Sequence, residues 1–376
     1  MAYNQTIPSL TGIRALAAFL VLLLHADQNI PIGVASAGVL ARGYLGVDLF
    51  FLLSGFILTF VYFESLRKPT AQAFKIFMWH RFIRLYPVHI TVLAALVFVV
   101  LMAGRFGLTL RAPEAFTFDT LPWQILLLHG WGFSDRVSWN VPSWSISAEW
   151  FAYLCFPLVA ACLDRVRSEH VLLLVAVTSL AMAAVVFSLA GWGLADAWIA
   201  PSAFVRIGGE FVCGAALCRY AVVRHAIEAR SRLNDGIALT ALTGFLVGAG
   251  FGMPDFALIA LLAIFIAALA TSDGLASKLF STSPMVWLGE VSYSLYMIHF
   301  PVLRTLNIIF RPERLHAMGV AAAVVAYVLS IAVCVIAAAA LYYLIERPLR
   351  VRLRNAAGEL PRAAPVAAGF SAGRVG

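Results

Sequence analysis

The stretch SLTGIRALAAFLVLLLH, residues Ser9–His25, has the length and apolarity of a membrane-spanning helix but contains two polar groups. Arg14 and His25 are eleven residues apart, so at about 100° per residue both lie on one helix face, roughly 16 Å apart along the axis. Polar side chains at membrane depth are costly and usually face protein or water. Taken singly, these would be a snorkelling arginine and a hydrogen-bonded histidine at a helix end. The pair on one face favours a functional path.

The composition around this stretch is that of a polytopic membrane protein. The chain is 62% hydrophobic and 12% charged, whereas soluble domains are about 25% charged. The net charge of +8 does not indicate a nucleic-acid partner, because the basic residues occupy short loops between apolar segments and set orientation. The five cysteines lie in apolar segments and lack metal-ligand spacing with histidine, so neither a disulfide framework nor a metal site is predicted.

Lysine and arginine positions predict the topology. A short apolar patch, 123–133, is predicted as a re-entrant or interfacial helix, which leaves 18 basic residues in inside loops and 6 in outside loops. If the patch crossed the membrane, the basic loop 219–235 would lie outside, against the positive-inside rule. The sequence therefore predicts an all-α polytopic membrane protein with about ten transmembrane helices and both termini cytoplasmic. The predicted spans, most of about 20 residues, are 9–26, 43–63, 87–104, 143–163, 170–190, 202–222, 236–252, 254–271, 285–309 and 317–345.

The chain is predicted to hold one domain. Residues 1–350 form the membrane domain, and nothing indicates a second, soluble domain. The end of the chain, 351–376, is rich in alanine, glycine and proline and is predicted as a disordered cytoplasmic tail.

Two of the carboxylates inside predicted spans, Asp48 and Glu149, are candidates for the reaction. Asp48 enters the second span at about the depth of His25, where a carboxylate can orient an imidazole. Its alternative role is helix capping or pairing with Arg42. Glu149 lies about eight residues into its span and is a functional candidate by default. A structural ion pair between Glu149 and Arg206 is the equally weighted alternative.

Two further groups of polar residues are candidates for binding. Arg81 and Arg84, in RFIRLYP at the cytoplasmic interface, share a helix face and suit an anionic cytosolic ligand, although plain positive-inside topology also explains them. Trp144 belongs either to an interfacial belt or to a site near Glu149. Tyr296 and His299 share a face of an unusually polar span and form either a helix contact or a wall of an acceptor site.

These motifs resemble the acyltransferase-3 family of integral membrane acyltransferases. The arginine and histidine separated by ten residues, Arg14 and His25, are followed in the family's order by GYLGVDLFFLLSGFIL, RFIRLYP, WSISAEWFAY, VSYSLYMIHFP and LIERPLR. The resemblance covers about Leu10 to Arg350. WSISAEW stands where a second acidic residue often follows the glutamate, so only Glu149 is available. Some relatives have an extra C-terminal hydrolase-like domain, and a function that needs it is expected to require a separate partner.

The resemblance implies transfer of an acyl group, most often acetyl, from cytosolic acyl-CoA to a hydroxyl of a cell-envelope or exported carbohydrate or glycolipid. It places the protein in a lipid bilayer, the bacterial inner membrane, without a metal. On this basis His25 is expected to be the general base, oriented by Asp48 or Glu149. Donor binding is expected from Arg14, Arg81 and Arg84. Acceptor binding is expected from Trp144, Tyr296 and His299.

A transporter or flippase of a lipid-linked glycan is the alternative, because proton relays and substrate pathways use the same intramembrane residue types. It predicts substrate movement without consumption of acyl-CoA. The sequence leaves open the acceptor, the acyl chain, an acyl-enzyme on His25 and the oligomeric state.

Overall fold

The computed structural model describes residues 7–30, 32, 38–108, 113–227, 229–310, 315 and 318–356, and every regular element in these ranges is helical. This confirms the all-α prediction, and the physical reason is that a chain in lipid must satisfy its backbone hydrogen bonds internally. A π-helical turn, Tyr342–Glu346, precedes the last helix. The α-helices in these ranges are α1 Pro8–Asn29, α2 Leu45–Leu66, α3 Ala71–Arg105, α4 Leu121–Ile125, α5 Trp144–Asp164, α6 Glu169–Ala190, α7 Ser202–Val223, α8 Arg232–Gly250, α9 Asp255–Ala270, α10 Leu275–Phe280, α11 Ser283–Phe310, α12 Val320–Leu341 and α13 Arg347–Ala356.

Each of the ten predicted spans coincides with one of the longer helices. Among the described residues, 7 helices are long and apolar enough to cross a membrane. Of the others, α9 is apolar but has only 16 residues, while α7 and α11 contain polar groups within their length. The protein is therefore an integral membrane protein, whereas ten crossings and cytoplasmic termini remain predictions.

The short apolar patch 123–133 is not one helix. Only its first residues belong to α4, which ends at Ile125, and Leu127 then has a positive φ of 59° that turns the chain. The rings of Trp123 and Phe133, at the two ends of the patch, stack with centroids 4.9 Å apart. The patch thus folds back on itself through the turn at Leu127.

Two close helix contacts determine which polar residues meet. A Cβ added at Gly55 on α2 would lie 2.0 Å from the carbonyl oxygen of Phe211 on α7. A Cβ added at Gly289 on α11 would lie 1.9 Å from the carbonyl oxygen of Thr11 on α1. Small residues at such positions let helix backbones approach closely in membranes. As a result α2 packs on α7, and α1 packs on α11.

The C-terminal segment that was predicted to be disordered is partly helical. Helix α13 continues to Ala356, so residues 351–356 of the predicted tail are ordered as a helix. The indole Nε1 of Trp79 on α3 donates to the carbonyl of Leu353, 3.1 Å away, and holds α13 against α3. Residues 357–376 lie outside the described residues, and their disorder remains a prediction.

Candidate active site

A cavity of about 110 Å³ lies among α1, α2, α3, α5 and α11. We call it the arginine cavity, because Arg14, Arg81 and Arg84 all line it. Glu149 and Tyr296 line it as well. Five candidates from four different helices therefore share one cavity, although the sequence alone places them far apart.

The three arginines differ in their partners. Arg84 forms an ion pair with Glu346. Arg81 donates to the hydroxyl of Tyr62 at 2.9 Å, and its guanidinium lies 5.0 Å from the centre of that ring. Within the described ranges, neither Arg14 nor Arg81 forms an ion pair with a carboxylate. A cation left unpaired at this depth is costly, so the cavity is suited to an anionic guest.

Glu149 lines the arginine cavity and, within the described ranges, is not hydrogen-bonded to His25, the candidate catalytic base. Its carboxylate accepts a hydrogen bond from the hydroxyl of Ser54, and it interacts electrostatically with Arg14 and Arg81. In the part of the chain that the structure describes, no hydrogen bond joins it to His25. The structure therefore places Glu149 among the cavity arginines and not against His25.

Asp48 also does not pair with His25 and instead forms an ion pair with Arg206. Its carboxylate accepts two hydrogen bonds from Arg206 on α7, from Nε at 2.9 Å and from Nη2 at 2.6 Å. The third donor of Arg206 reaches the carbonyl of Leu194 at 2.8 Å. Both side chains are buried, with exposed fractions of 0% and 1%. The expected contact between Asp48 and His25 is not formed, because the close packing of α2 on α7 delivers Asp48 to an arginine.

The ion pair between Asp48 and Arg206 excludes the two alternative ion pairs considered from the sequence. Arg42 does not pair with Asp48, because its guanidinium forms an ion pair with Asp255 at the start of α9. Arg206 does not pair with Glu149, because Asp48 occupies its donors.

Trp144 lies against this ion pair. Its ring centre is 5.2 Å from the guanidinium carbon of Arg206, a cation–π contact, and its edge packs on Phe51. The side chain is 5% exposed and is not part of the cavity lining. The structure thus places Trp144 against Arg206 and outside the lining of the arginine cavity, and its role in acceptor binding remains a prediction.

His25 meets a second histidine. Its Nδ1 lies 3.0 Å from Nε2 of His299 on α11, and the edge of its ring packs on Phe300. His299 Nδ1 lies 3.2 Å from the carbonyl oxygen of Leu295, one turn earlier. The ring of Tyr296 lies 5.8 Å from that of His299. Tyr296, which lines the arginine cavity, therefore links the cavity to the histidine pair.

Several residues of the site were missed in the sequence. Tyr153 lines the cavity one helical turn after Glu149, and Tyr293 lines it three residues before Tyr296. Both tyrosines could have been found from the sequence, because each lies three or four residues from a predicted site residue and therefore shares its helix face. Glu346, the partner of Arg84, is separated from it by 262 residues, and no local pattern predicts that pairing.

Comparison with known proteins agrees with this architecture. The acyltransferase-3 family model, described as an acyltransferase domain, matches residues 7–339. The chain is 30% identical to acyltransferase MdmB of Streptomyces mycarofaciens over 91% of each chain. It is 24% identical to the peptidoglycan O-acetyltransferase OatA of Listeria monocytogenes over 80% of this chain and 50% of that protein. It is 24% identical to the O-acetyltransferase OatA of Staphylococcus aureus over 95% of this chain and 59% of that protein.

The chain thus spans nearly all of one relative but only about half the length of the two O-acetyltransferases. No solved structure matches it significantly. The family match over most of the length, the helices that can span a membrane and the shared motifs agree, and the chain belongs to the acyltransferase-3 family of membrane acyltransferases.

Proposed function

We propose that this acyltransferase moves an acyl group, acetyl first among the candidates, from cytosolic acyl-CoA to a hydroxyl of a cell-envelope or exported carbohydrate. Its place is the inner membrane of a bacterium, with both termini in the cytoplasm and about ten crossings. Support comes from family membership and from the relatives that are named O-acetyltransferases. Because the chain spans only about half of those relatives, their acceptor supports a class of glycan and not one polymer.

The arginine cavity carries the proposal for the donor. Coenzyme A is a multiply charged anion, and arginine binds phosphate through two parallel hydrogen bonds. Arg14 and Arg81 have no ion pair in the described ranges, so they are available to such a ligand. In the predicted topology RFIRLYP lies at the cytoplasmic interface, the side from which acyl-CoA arrives. The donor's phosphates bind near Arg81 and Arg84, and its arm extends past Arg14 toward Tyr296.

The histidine pair carries the proposal for the reaction. His25 takes the proton of the acceptor hydroxyl, the oxygen attacks the thioester carbonyl carbon, and the carbon–sulfur bond breaks. The thiolate of coenzyme A then receives the proton from His25. The acceptor approaches from the outer side, with Tyr296 between the cavity and the histidines. Glu149 remains a candidate for arranging the donor within the cavity.

Purified protein in nanodiscs tests the proposal. Radiolabelled acetyl-CoA is supplied with and without a bacterial envelope glycan extract, and label in the glycan is followed. Wild type should transfer label, and His25→Ala should lose about 10²–10⁴-fold in rate while folding normally. Arg136→Met is the matched control for arginine variants, because Arg136 is an exposed loop residue. Equal transfer by His25→Ala would remove His25 from the mechanism, and movement of a glycan without thioester loss would favour the transporter.

A further inference from the structure

We infer that His299 is a positioning residue that fixes the proton of His25 on Nδ1 and leaves Nε2 of His25 bare as the base. The inference rests on the proposed function, because it refines the role of His25 in acyl transfer. It changes the expected role of His299 from acceptor binding to control of a tautomer.

The first step concerns His299 alone. Its Nδ1 lies 3.2 Å from the carbonyl oxygen of Leu295. A carbonyl oxygen can only accept a hydrogen bond, so Nδ1 carries the proton. A neutral imidazole has one ring proton. Nε2 of His299 therefore holds a lone pair and acts as an acceptor.

The second step is that the acceptor on His299 determines which ring nitrogen of His25 carries the proton. The atom 3.0 Å from Nε2 of His299 is Nδ1 of His25. Because Nε2 of His299 accepts, Nδ1 of His25 must donate, and the one proton of neutral His25 is placed there. Nε2 of His25 is left with a lone pair on the opposite side of the ring. A second hydrogen bond sets the tautomer of a catalytic histidine in the same way elsewhere.

Burial separates the two roles. His299 is 1% exposed and is fixed between its two hydrogen bonds. His25 is partly exposed, so of the two imidazoles it is the one with accessible surface. The close contact between Gly289 and Thr11 holds together α11 and α1, the two helices that carry the histidines. The buried imidazole thus orients, and the accessible one reacts.

The membrane explains why the orienting group is an imidazole. A buried carboxylate in this position would need its own cation, as Asp48 has in Arg206, because desolvation of an unpaired charge is expensive. A neutral imidazole accepts the same hydrogen bond without that cost. When His25 takes the hydroxyl proton on Nε2, its Nδ1 proton stays bonded to His299, and the imidazolium keeps its orientation.

Two variants of His299 test the inference. His299→Leu removes the acceptor but keeps an apolar side chain, so kcat should fall at least about tenfold, toward the loss in His25→Ala. The KM for acyl-CoA should stay unchanged, because His299 is outside the arginine cavity lining. His299→Gln places an amide oxygen near the position of Nε2, so it should restore most of the lost kcat.

His89→Leu is the matched control. His89 is also a 1% exposed histidine, and its Nε2 donates to the carbonyl of Gln124 at 2.8 Å. It has no contact with His25 in the described structure. Its replacement should lower thermal stability and leave kcat per folded molecule at the wild-type value. This separates general loss of a buried imidazole from loss of the tautomer.

Nitrogen-15 NMR of histidine-labelled wild type tests the tautomer without any variant. Nδ1 of His25 should be protonated and Nε2 bare, and His299→Leu should give a mixture. Wild-type kcat in His299→Leu with His25→Ala inactive would overturn the inference alone. Equal inactivity of folded His299→Leu and His299→Gln, or a proton on Nε2 of His25 in wild type, would also overturn it. Activity in His25→Ala would instead contradict the proposed function.

Discussion

Two groups of arginines in this protein face the same cost of burial in a membrane and meet it differently. Arg206 is 1% exposed and directs its donors to Asp48 and to a backbone carbonyl. Arg81 is half-buried in a cavity, and within the described ranges its hydrogen bond goes to a tyrosine hydroxyl while its buried Nε has no partner. The first arginine is saturated by the protein, whereas the second retains unused donors.

This difference separates structure from function among residues that look alike in the sequence. A saturated ion pair fixes two helices and has nothing left to offer a ligand. An arginine with free donors beside a cavity gains its partner only when an anion binds. Arg84 lies between these extremes, because it lines the cavity and also pairs with Glu346.

Breaking the saturated pair should have the largest effect. Arg206→Met leaves the Asp48 carboxylate buried without its partner, which should cost about 3–5 kcal/mol of unfolding free energy. Unfolding in mixed detergent micelles measures the loss. The double variant Arg206→Met with Asp48→Asn removes both charges and should regain much of it. Full stability of Arg206→Met would show that the pair is not structural.

Arg84→Met should affect both stability and binding. Glu346 keeps Ser294 at 2.7 Å and Arg350 at 3.5 Å, so the destabilisation should be about 1–3 kcal/mol. The KM for acyl-CoA should also rise, because a cavity cation is lost. Unfolding and donor titration on the same preparation give the two values. A change in the unfolding free energy alone would make Arg84 a structural arginine like Arg206. A change in KM alone would make it a ligand-binding arginine like Arg81.

Arg81→Met should weaken the binding of acyl-CoA without a large loss of stability. A hydrogen bond to a charged group contributes about 1.5–3 kcal/mol, which corresponds to roughly 10–100-fold in the Kd for acyl-CoA. Unfolding free energy should fall by less than in Arg84→Met, because within the described ranges Arg81 loses a hydrogen bond to Tyr62 and no ion pair. Equilibrium binding in nanodiscs measures the Kd, with Arg136→Met as the control. An unchanged Kd would refute the assignment of the cavity to the donor.

Arg81→Lys should have the smallest effect. The charge remains, but an ammonium cannot form the paired, planar hydrogen bonds of a guanidinium. The Kd should rise by about 3–10-fold, equivalent to ~1 kcal/mol. Comparison with Arg81→Met in the same titration separates charge from geometry. A loss as large as that of Arg81→Met would show that geometry, and not charge, determines binding at this position.

The prediction was strongest where one helix carries the information. Arg14 and His25 share a face because of the helical period, and Arg81 with Arg84 follows the same rule. Apolar length predicted the long helices and set 123–133 apart from them, although it did not predict the turn after Ile125. Partners across helices were assigned less well, and both carboxylates proposed for His25 bond other groups.

Composition, apolar length and residue spacing determined an all-helical membrane protein and most of the polar residues that line the arginine cavity, while the resemblance of its ordered motifs indicated the family. Only the tertiary structure decided which of these residues touch. Asp48 meets Arg206, and His25 meets His299, across separations of 158 and 274 residues. The physical reason is that close glycine contacts pack α2 on α7 and α1 on α11. The residues around a side chain in the sequence do not indicate which distant helix packs against it.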